Sequence, residues 1–551
     1  MLDFHLPDEQ YRAARGRLFY TENGRETAGG VFAPIALAGI HLTLPRALGV
    51  CAARLTLTAD GGKETVTLPL CLRVSGGDSD TYAALVDGAA LAPAACLWFA
   101  RLYVDSIFGR LACAPAGGGD VRFFHGEETE EIPLLFLPPP DEVSGGALYQ
   151  LPVSCLFAMR EEHYEGFFTY LASLGVSGLY LCPPVGEGAC GKGQDPSACL
   201  PPAFAAAALC HGVRVFGDFL LLANAQGADN ALLGAACPSV EEARPALWNT
   251  PFPPMDAETP ADLASYTAAG GLLSRAAQAG FGGMVFRAAD CFGDAFLAAA
   301  RARMAEEGKE PLILGGTAAG AVSVAFGTRR RFFFGGELDA PLSYALRDAL
   351  LAYFLLRDPD PLARYLGDYL PSMPPSVQAV MPELLSTYET GSFFATLAAE
   401  VGADRADAMT AAALLVAATL PGSPAYLAGE EHGMDIDGTP LCDGDMGDGR
   451  MALCLRLANL RRKEGVYAGG EYRLLHLSPD LLIFSREREG EALLTVINPT
   501  ERTLTASSPD GFSVVFGGRG RKTSFPVRPM GGIVVKVARW EGEPCCLRFS
   551  S

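Results

Sequence analysis

Between about Tyr11 and Phe136 apolar and polar residues alternate in short runs broken by Gly-rich turns. Arg54-Leu55-Thr56-Leu57-Thr58 and Thr65-Val66-Thr67-Leu68, with Asp60-Gly61-Gly62 between them, set the type. Alternation with a period of two puts one face of a strand on a core and the other in water, so the pattern predicts a β-sandwich over residues 1–126. The acidic, Pro-rich piece that follows, with Pro138-Pro139-Pro140, reads as a linker over 127–145. From Ala147 the pattern changes to apolar strands alternating with Ala/Leu-rich helical stretches, which predicts βα units around a parallel sheet over 146–466. Val176 to Leu181, Val213 to Phe219, Gly283 to Phe286 and Pro311 to Gly315 are the clearest strands. After Arg461-Arg462-Lys463 the alternation returns in Leu481 to Ser485 and Ala492 to Asn498, predicting a C-terminal antiparallel β domain over 467–551.

Composition narrows the partners. The 551-residue chain is too long for one core, and a (β/α)8 barrel needs about 250 of those residues. Its 43 basic and 63 acidic residues give a net charge of -20, which repels phosphate backbones and anionic lipid and argues against nucleic acid as a partner. The longest apolar tract, Ala411 to Leu420, is cut by Pro421, Gly422 and Pro424 before the ~20 residues that a membrane span needs. The 15 cysteines are scattered without metal-ligand spacing, so they are expected to be small buried hydrophobes in a reducing compartment. Met1 to Glu9 has no basic and apolar leader pattern, and a cytoplasmic location is expected. No motif calls for a metal or cofactor.

Leu420-Pro421-Gly422-Ser423-Pro424-Ala425-Tyr426-Leu427-Ala428-Gly429-Glu430-Glu431-His432-Gly433-Met434 resembles a late barrel strand and turn of the α-amylase superfamily. Ala147-Leu148-Tyr149-Gln150-Leu151 resembles the first barrel strand of that superfamily, and Tyr170 to Pro183 its next helix and strand. Gly335-Gly336-Glu337-Leu338-Asp339-Ala340, running on to Ala349, resembles the segment that reads Phe-Asp-x-x-Met-Asn-Tyr in the neopullulanase and cyclomaltodextrinase branch of glycoside hydrolase family 13. The resemblance implies a TIM (β/α)8 barrel flanked by an N-terminal β-sandwich and a C-terminal β domain. It also implies three catalytic carboxylates at strand ends.

Those carboxylates are largely replaced. The motif Asp-x-x-x-Asn-His is matched by Asp218-Phe219-Leu220-Leu221-Leu222-Ala223, which keeps the aspartate and loses the imidazole. Gly280-Phe281-Gly282-Gly283-Met284-Val285-Phe286-Arg287-Ala288-Ala289 aligns without a gap to Gly-x-Asp-Gly-Phe-Arg-x-Asp-Ala-Ala, putting Arg287 at the nucleophile position and Val285 at that of the supporting arginine. A shift by two residues keeps Phe286-Arg287 in register but leaves Ala289 as nucleophile, with Asp290 one residue beyond. A guanidinium stays protonated and offers no lone pair to an anomeric carbon. Gly316 stands where the general acid is expected, and Thr387-Tyr388-Glu389-Thr390 replaces Ser/Asn-His-Asp-Thr. Gln194-Asp195-Pro196 matches the Tyr-Asp-Thr loop.

The implied function is a cytoplasmic, catalytically inactive α-amylase-like protein that binds α-glucan or maltooligosaccharide or serves in assembly. Asp218 and Glu389 are candidate ligand contacts, Trp248 a third. Asp218 has a structural reading as a hydrogen-bond acceptor, and Glu389 one as a partner of Arg287. Glu430, Glu431 and His432 read as turn residues, and Arg329-Arg330-Arg331 as a solvated face. By the same resemblance the N-terminal domain is a candidate for homodimer formation. The competing reading is an active α-glucan hydrolase or transglycosylase built on Asp218, Asp290 and Glu389.

Overall fold

The structure is a computed structural model. It describes residues 9–27, 30–60, 62–93, 97–117, 120–125, 131–136, 146–182, 200–223, 229–233, 266–287, 289, 293–307, 310–317, 323–325, 328–330, 332–333, 336–342, 344–434, 447–488, 490–537 and 548–550. They form two compact units. One is Met1–Asp141 with Gly367–Pro375, the other Glu142–Leu366 with Ser376–Ser551.

The second unit holds the parallel barrel. Its strands are β1 (Ala147–Pro152), β2 (Val176–Cys182), β3 (Arg214–Ala223), β4 (Gly283–Phe286), β5 (Leu312–Gly316), β6 (Ala340–Leu342), β7 (Pro382–Glu383) and β8 (Ser423–Leu427). They lie in the order β6-β5-β4-β3-β2-β1-β8-β7, every neighbour parallel, and the ring lacks a ladder only between β6 and β7. Burial on both faces explains their near-continuous apolar sequences; β4 and β8 are buried throughout. Gly283 is needed where β4 meets β5, because a Cβ there would stand 2.3 Å from the Leu312 carbonyl oxygen and 2.7 Å from the Phe216 ring. Helices α1 (Tyr164–Ser173), α2 (Pro202–Cys210), α3 (Leu272–Ala279), α4 (Asp294–Glu307), α5 (Ala345–Leu351), α6 (Phe393–Val401), α7 (Ala403–Thr419) and α8 (Gly447–Lys463) alternate with the strands or follow the last. Ser392 caps α6 by accepting from the Ala395 amide at 3.2 Å.

An antiparallel sheet completes this unit, with strands in the order Glu471–Ser478, Leu481–Arg488, Glu491–Asn498, Gly531–Val537, Leu504–Phe516 and Gly520–Val527. Leu494, Val496, Ala506, Val527 and Val535 form its core. Three charged side chains are buried where it meets the amino ends of β7 and β8. Arg461 donates to the carbonyls of Ala418 and Gly422, Arg486 to that of Gly470, and Glu383 accepts from the Tyr365 hydroxyl at 2.9 Å.

In the first unit an antiparallel sheet closes on itself, because Leu97–Ser106 pairs with both Ala52–Ala59 and Gly109–Gly117. Trp98, Leu55, Leu57, Leu102 and Val104 lie in its core.

Two expectations need correction, on the linker and on the cysteines. The expected linker contains a strand, Ile132–Phe136, paired antiparallel with Leu97–Ser106 and parallel with Val31–Phe32, because its apolar residues complete the core. In the second unit α7 packs on the C-terminal sheet, and Arg486 of that sheet donates to the Thr419 carbonyl at 3.4 Å. Of the described cysteines, Cys113, Cys182 and Cys454 are buried, but Cys51, Cys71, Cys155 and Cys210 are exposed. No described helix is long and apolar enough to cross a membrane.

Candidate active site

In a (β/α)8 barrel the carboxyl ends of the strands form the functional face. Asp218 on β3 pairs in register with Val285 on β4, and Val285 with Leu314 on β5. The neighbours Phe219 and Phe286 turn outward, their ring centroids 4.9 Å apart and 6.0 and 6.1 Å from that of Phe296 on α4. By strand alternation Asp218 and Val285 then face the barrel interior, and Arg287, two residues beyond Val285, follows them. Its amide donates to the Phe219 carbonyl and extends the ladder by one step.

The Arg287 guanidinium lies between the two surviving carboxylates. Nη2 is 2.7 Å from Asp218 Oδ2, and Nη1 is 3.6 Å from Glu389 Oε1. Asp218 and Arg287 are buried, whereas the Glu389 side chain is 21% exposed and forms the outer edge of the group. Tyr180 on β2 donates to Asp218 Oδ1 at 2.7 Å. Tyr344 and Tyr388 donate to Glu389, Tyr388 at 3.1 Å to Oε1. The guanidinium also lies 5.6 Å from the centre of the Tyr388 ring. Strands β2 and β3 and the segments after β4, β6 and β7 therefore meet in one network.

Burial pushes the Asp218 carboxyl up to about 6, against the pull of Arg287 and the Tyr180 hydrogen bond. Burial works against the charge on Arg287, but Asp218 and the surrounding oxygens hold it protonated, above the ordinary arginine range. Burial first, then the nearby carboxylates, keep Tyr180, Tyr344 and Tyr388 neutral hydrogen-bond donors. Gly316 ends β5 and contributes no proton donor. Retaining glycosidases need a nucleophile and an acid about 5–5.5 Å apart with the scissile bond between them. Here a cation occupies the place between the carboxylates.

The remaining candidates divide. Asp290, Trp248 and Gln194-Asp195-Pro196 lie outside the described residues, as do the side chains of Arg329 and Arg330 and the whole of Arg331. Glu431 accepts from the hydroxyls of Tyr149 and Tyr170, both at 2.6 Å, and from the Gly429 amide at 3.1 Å. Exposed His432 lies 3.2 Å from the Tyr170 hydroxyl. No group of acidic, His or Cys side chains suited to a metal ion occurs among the described residues. Sequence reasoning missed Tyr180 and Tyr344. Tyr180 reads as one more apolar strand residue in Leu179-Tyr180-Leu181; the available signal was its even spacing from Gly178 and Cys182, which puts it on one face with them.

Solved structures that match nearly the whole chain include the following three. The type III pullulan hydrolase from Thermococcus kodakarensis is 15% identical with a TM-score of 0.54, covering 92% of this chain and 99% of its own. A cyclomaltodextrinase is 14% identical with a TM-score of 0.57, covering 97% and 99%. The chain carries their fold. The maltogenic amylase from S. marinus matches at 12% identity and a TM-score of 0.55, covering 92% of this chain and 80% of its own. Comparison with known families and with characterised protein sequences finds no match. At these identities the likeness concerns the α-amylase-type architecture: barrel, N-terminal β domain and C-terminal sheet.

Proposed function

We propose that this protein is an α-amylase-family relative that has lost glycoside hydrolysis and acts in the cytoplasm as an α-glucan-binding or assembly module. One observation carries the reading: Arg287 takes the expected nucleophile position and ties up both nearby carboxylates, Asp218 at 2.7 Å and Glu389 at 3.6 Å. With the acid position held by Gly316 and the nucleophile position by Arg287, neither position offers a glycosidic oxygen a carboxylic acid or an anomeric carbon a carboxylate. Loss of a whole catalytic set leaves binding as the property a scaffold retains. The half-exposed rim of the network, with Glu389 and the tyrosine hydroxyls behind it, supplies polar groups for sugar hydroxyls.

Affinity electrophoresis through gels containing pullulan or glycogen tests the binding half. Retardation that weakens in Glu389→Ala supports it, and mobility equal to that in plain gels removes α-glucan as the ligand. Sedimentation of the full chain tests assembly through the N-terminal domain. One observation favours an active enzyme instead: burial raises the Asp218 carboxyl to about 6, the direction a general acid needs. Against it, the contacts of Asp218 point to Tyr180 and Arg287 within the network.

A further inference from the structure

A second polar group lies apart from the strand-end network, behind the turn that follows β8. Ser386, Thr410 on α7, Glu430, Glu431 and Arg450 on α8 line a small cavity of ≈ 20 Å³, together with Tyr426, Cys454 and apolar side chains. Thr410 is 6% exposed and the Arg450 side chain 3%. Arg450 is held in place: Nη2 donates to Asp407 Oδ1 at 2.9 Å, and the guanidinium carbon lies 4.5 Å above the Phe394 ring. Its Nη1 and the Thr410 hydroxyl have no hydrogen-bond partner among the described residues. A buried donor left unsatisfied is costly, so a cavity faced by two of them is built for an occupant.

The walls decide its chemistry. Glu430 and Glu431 disfavour an anion, and the lining cation, Arg450, is already paired with Asp407. A metal cation is disfavoured by the guanidinium and by the occupied carboxylate oxygens: Glu430 Oε1 accepts from Ser386 at 2.7 Å, and Glu431 Oε1 from two tyrosines. The volume exceeds the ~10–15 Å³ that one water needs and is too small for an organic ligand, and a water takes two to four polar partners. We propose that this cavity is a hydration site for a single water molecule, which bridges Thr410 Oγ1 and Arg450 Nη1 and so fastens α7 to α8 beside the β8 turn. It is independent of the glucan reading.

Crystal structures of the full chain, wild type and Thr410→Val, grown with sodium bromide, test the proposal. The expected result is one solvent peak within hydrogen-bond distance of Thr410 Oγ1 and Arg450 Nη1, without bromide anomalous signal, that disappears in Thr410→Val and persists in Thr410→Ser. A dry cavity in the wild type overturns the proposal, and so does a bromide peak there. The wild-type crystal alone decides between these outcomes if the valine variant does not fold.

Discussion

Replacing Arg287 by methionine keeps much of the side-chain volume and removes the charge. Asp218, buried and 2.7 Å from the guanidinium, would then lose its counter-charge. Removing one partner of a buried ion pair costs about 3–5 kcal/mol. The cost must depend on pH. The Asp218 pKa is raised from 3.8 to about 6 in the folded protein, so the group stabilises most below 3.8 and loses that contribution as pH rises toward 6. At about 1.4 kcal/mol per pKa unit, the wild type gives up roughly 3 kcal/mol over this window. Without Arg287 the folded pKa lies higher still, and the variant keeps losing stability above pH 6 where the wild type has levelled off. Urea denaturation followed by helical circular dichroism, which reports the helix-rich barrel unit, measures the difference. We expect Arg287→Met to lie close to wild type near about pH 5 and to fall about 2–3 kcal/mol below it near about pH 8, two pH units at about 1.4 kcal/mol each. The double variant Arg287→Met/Asp218→Asn should recover most of the loss. A deficit that is the same at both pH values, or below about 1 kcal/mol near about pH 8, refutes the buried pair as described.

Tyr180→Phe removes the hydrogen bond to Asp218 at 2.7 Å and should destabilise by about 1–3 kcal/mol, more above pH 6 than below it, as read from urea midpoints. Burial pushes the Glu383 carboxyl up from 4.5 to about 8, so the wild type should lose stability as pH rises through that range. Glu383→Gln should flatten the profile and raise the Tm above pH 8, and unchanged pH profiles would contradict this. Gly422 has φ 101°, and a Cβ there would meet the Met381 carbonyl oxygen at 2.4 Å. Gly422→Ala should therefore cost at least about 1–3 kcal/mol, seen as a lowered Tm.

The barrel was legible because strands buried on both faces leave apolar runs that no surface pattern imitates; β2, β4 and β5 fall within a residue of the runs that predict them, and β3 runs four residues further. Arg287 was legible as a misfit, a permanent charge where a nucleophile belongs. Its partners were only half legible. Glu389 is near it in neither sequence nor period, and Tyr180 and Tyr344 gain their roles from ring closure, which brings together β2 and the segment after β6. Ile132–Phe136 was read as linker because its flanks are acidic and Pro-rich, although its own residues are core residues. Glu383, Arg461 and Arg486 gave no local signal, since each is buried by an element distant in the chain.

The central claim is the loss of glycoside hydrolysis. Pure wild-type protein at high concentration should be incubated with maltotriose, cyclodextrin and pullulan beside the variant Asp218→Ala/Asp290→Ala/Glu389→Ala, with released reducing ends counted over time. The account predicts that neither protein differs from buffer. Turnover by the wild type that the triple variant lacks would contradict it, and would mean that these carboxylates form a working set.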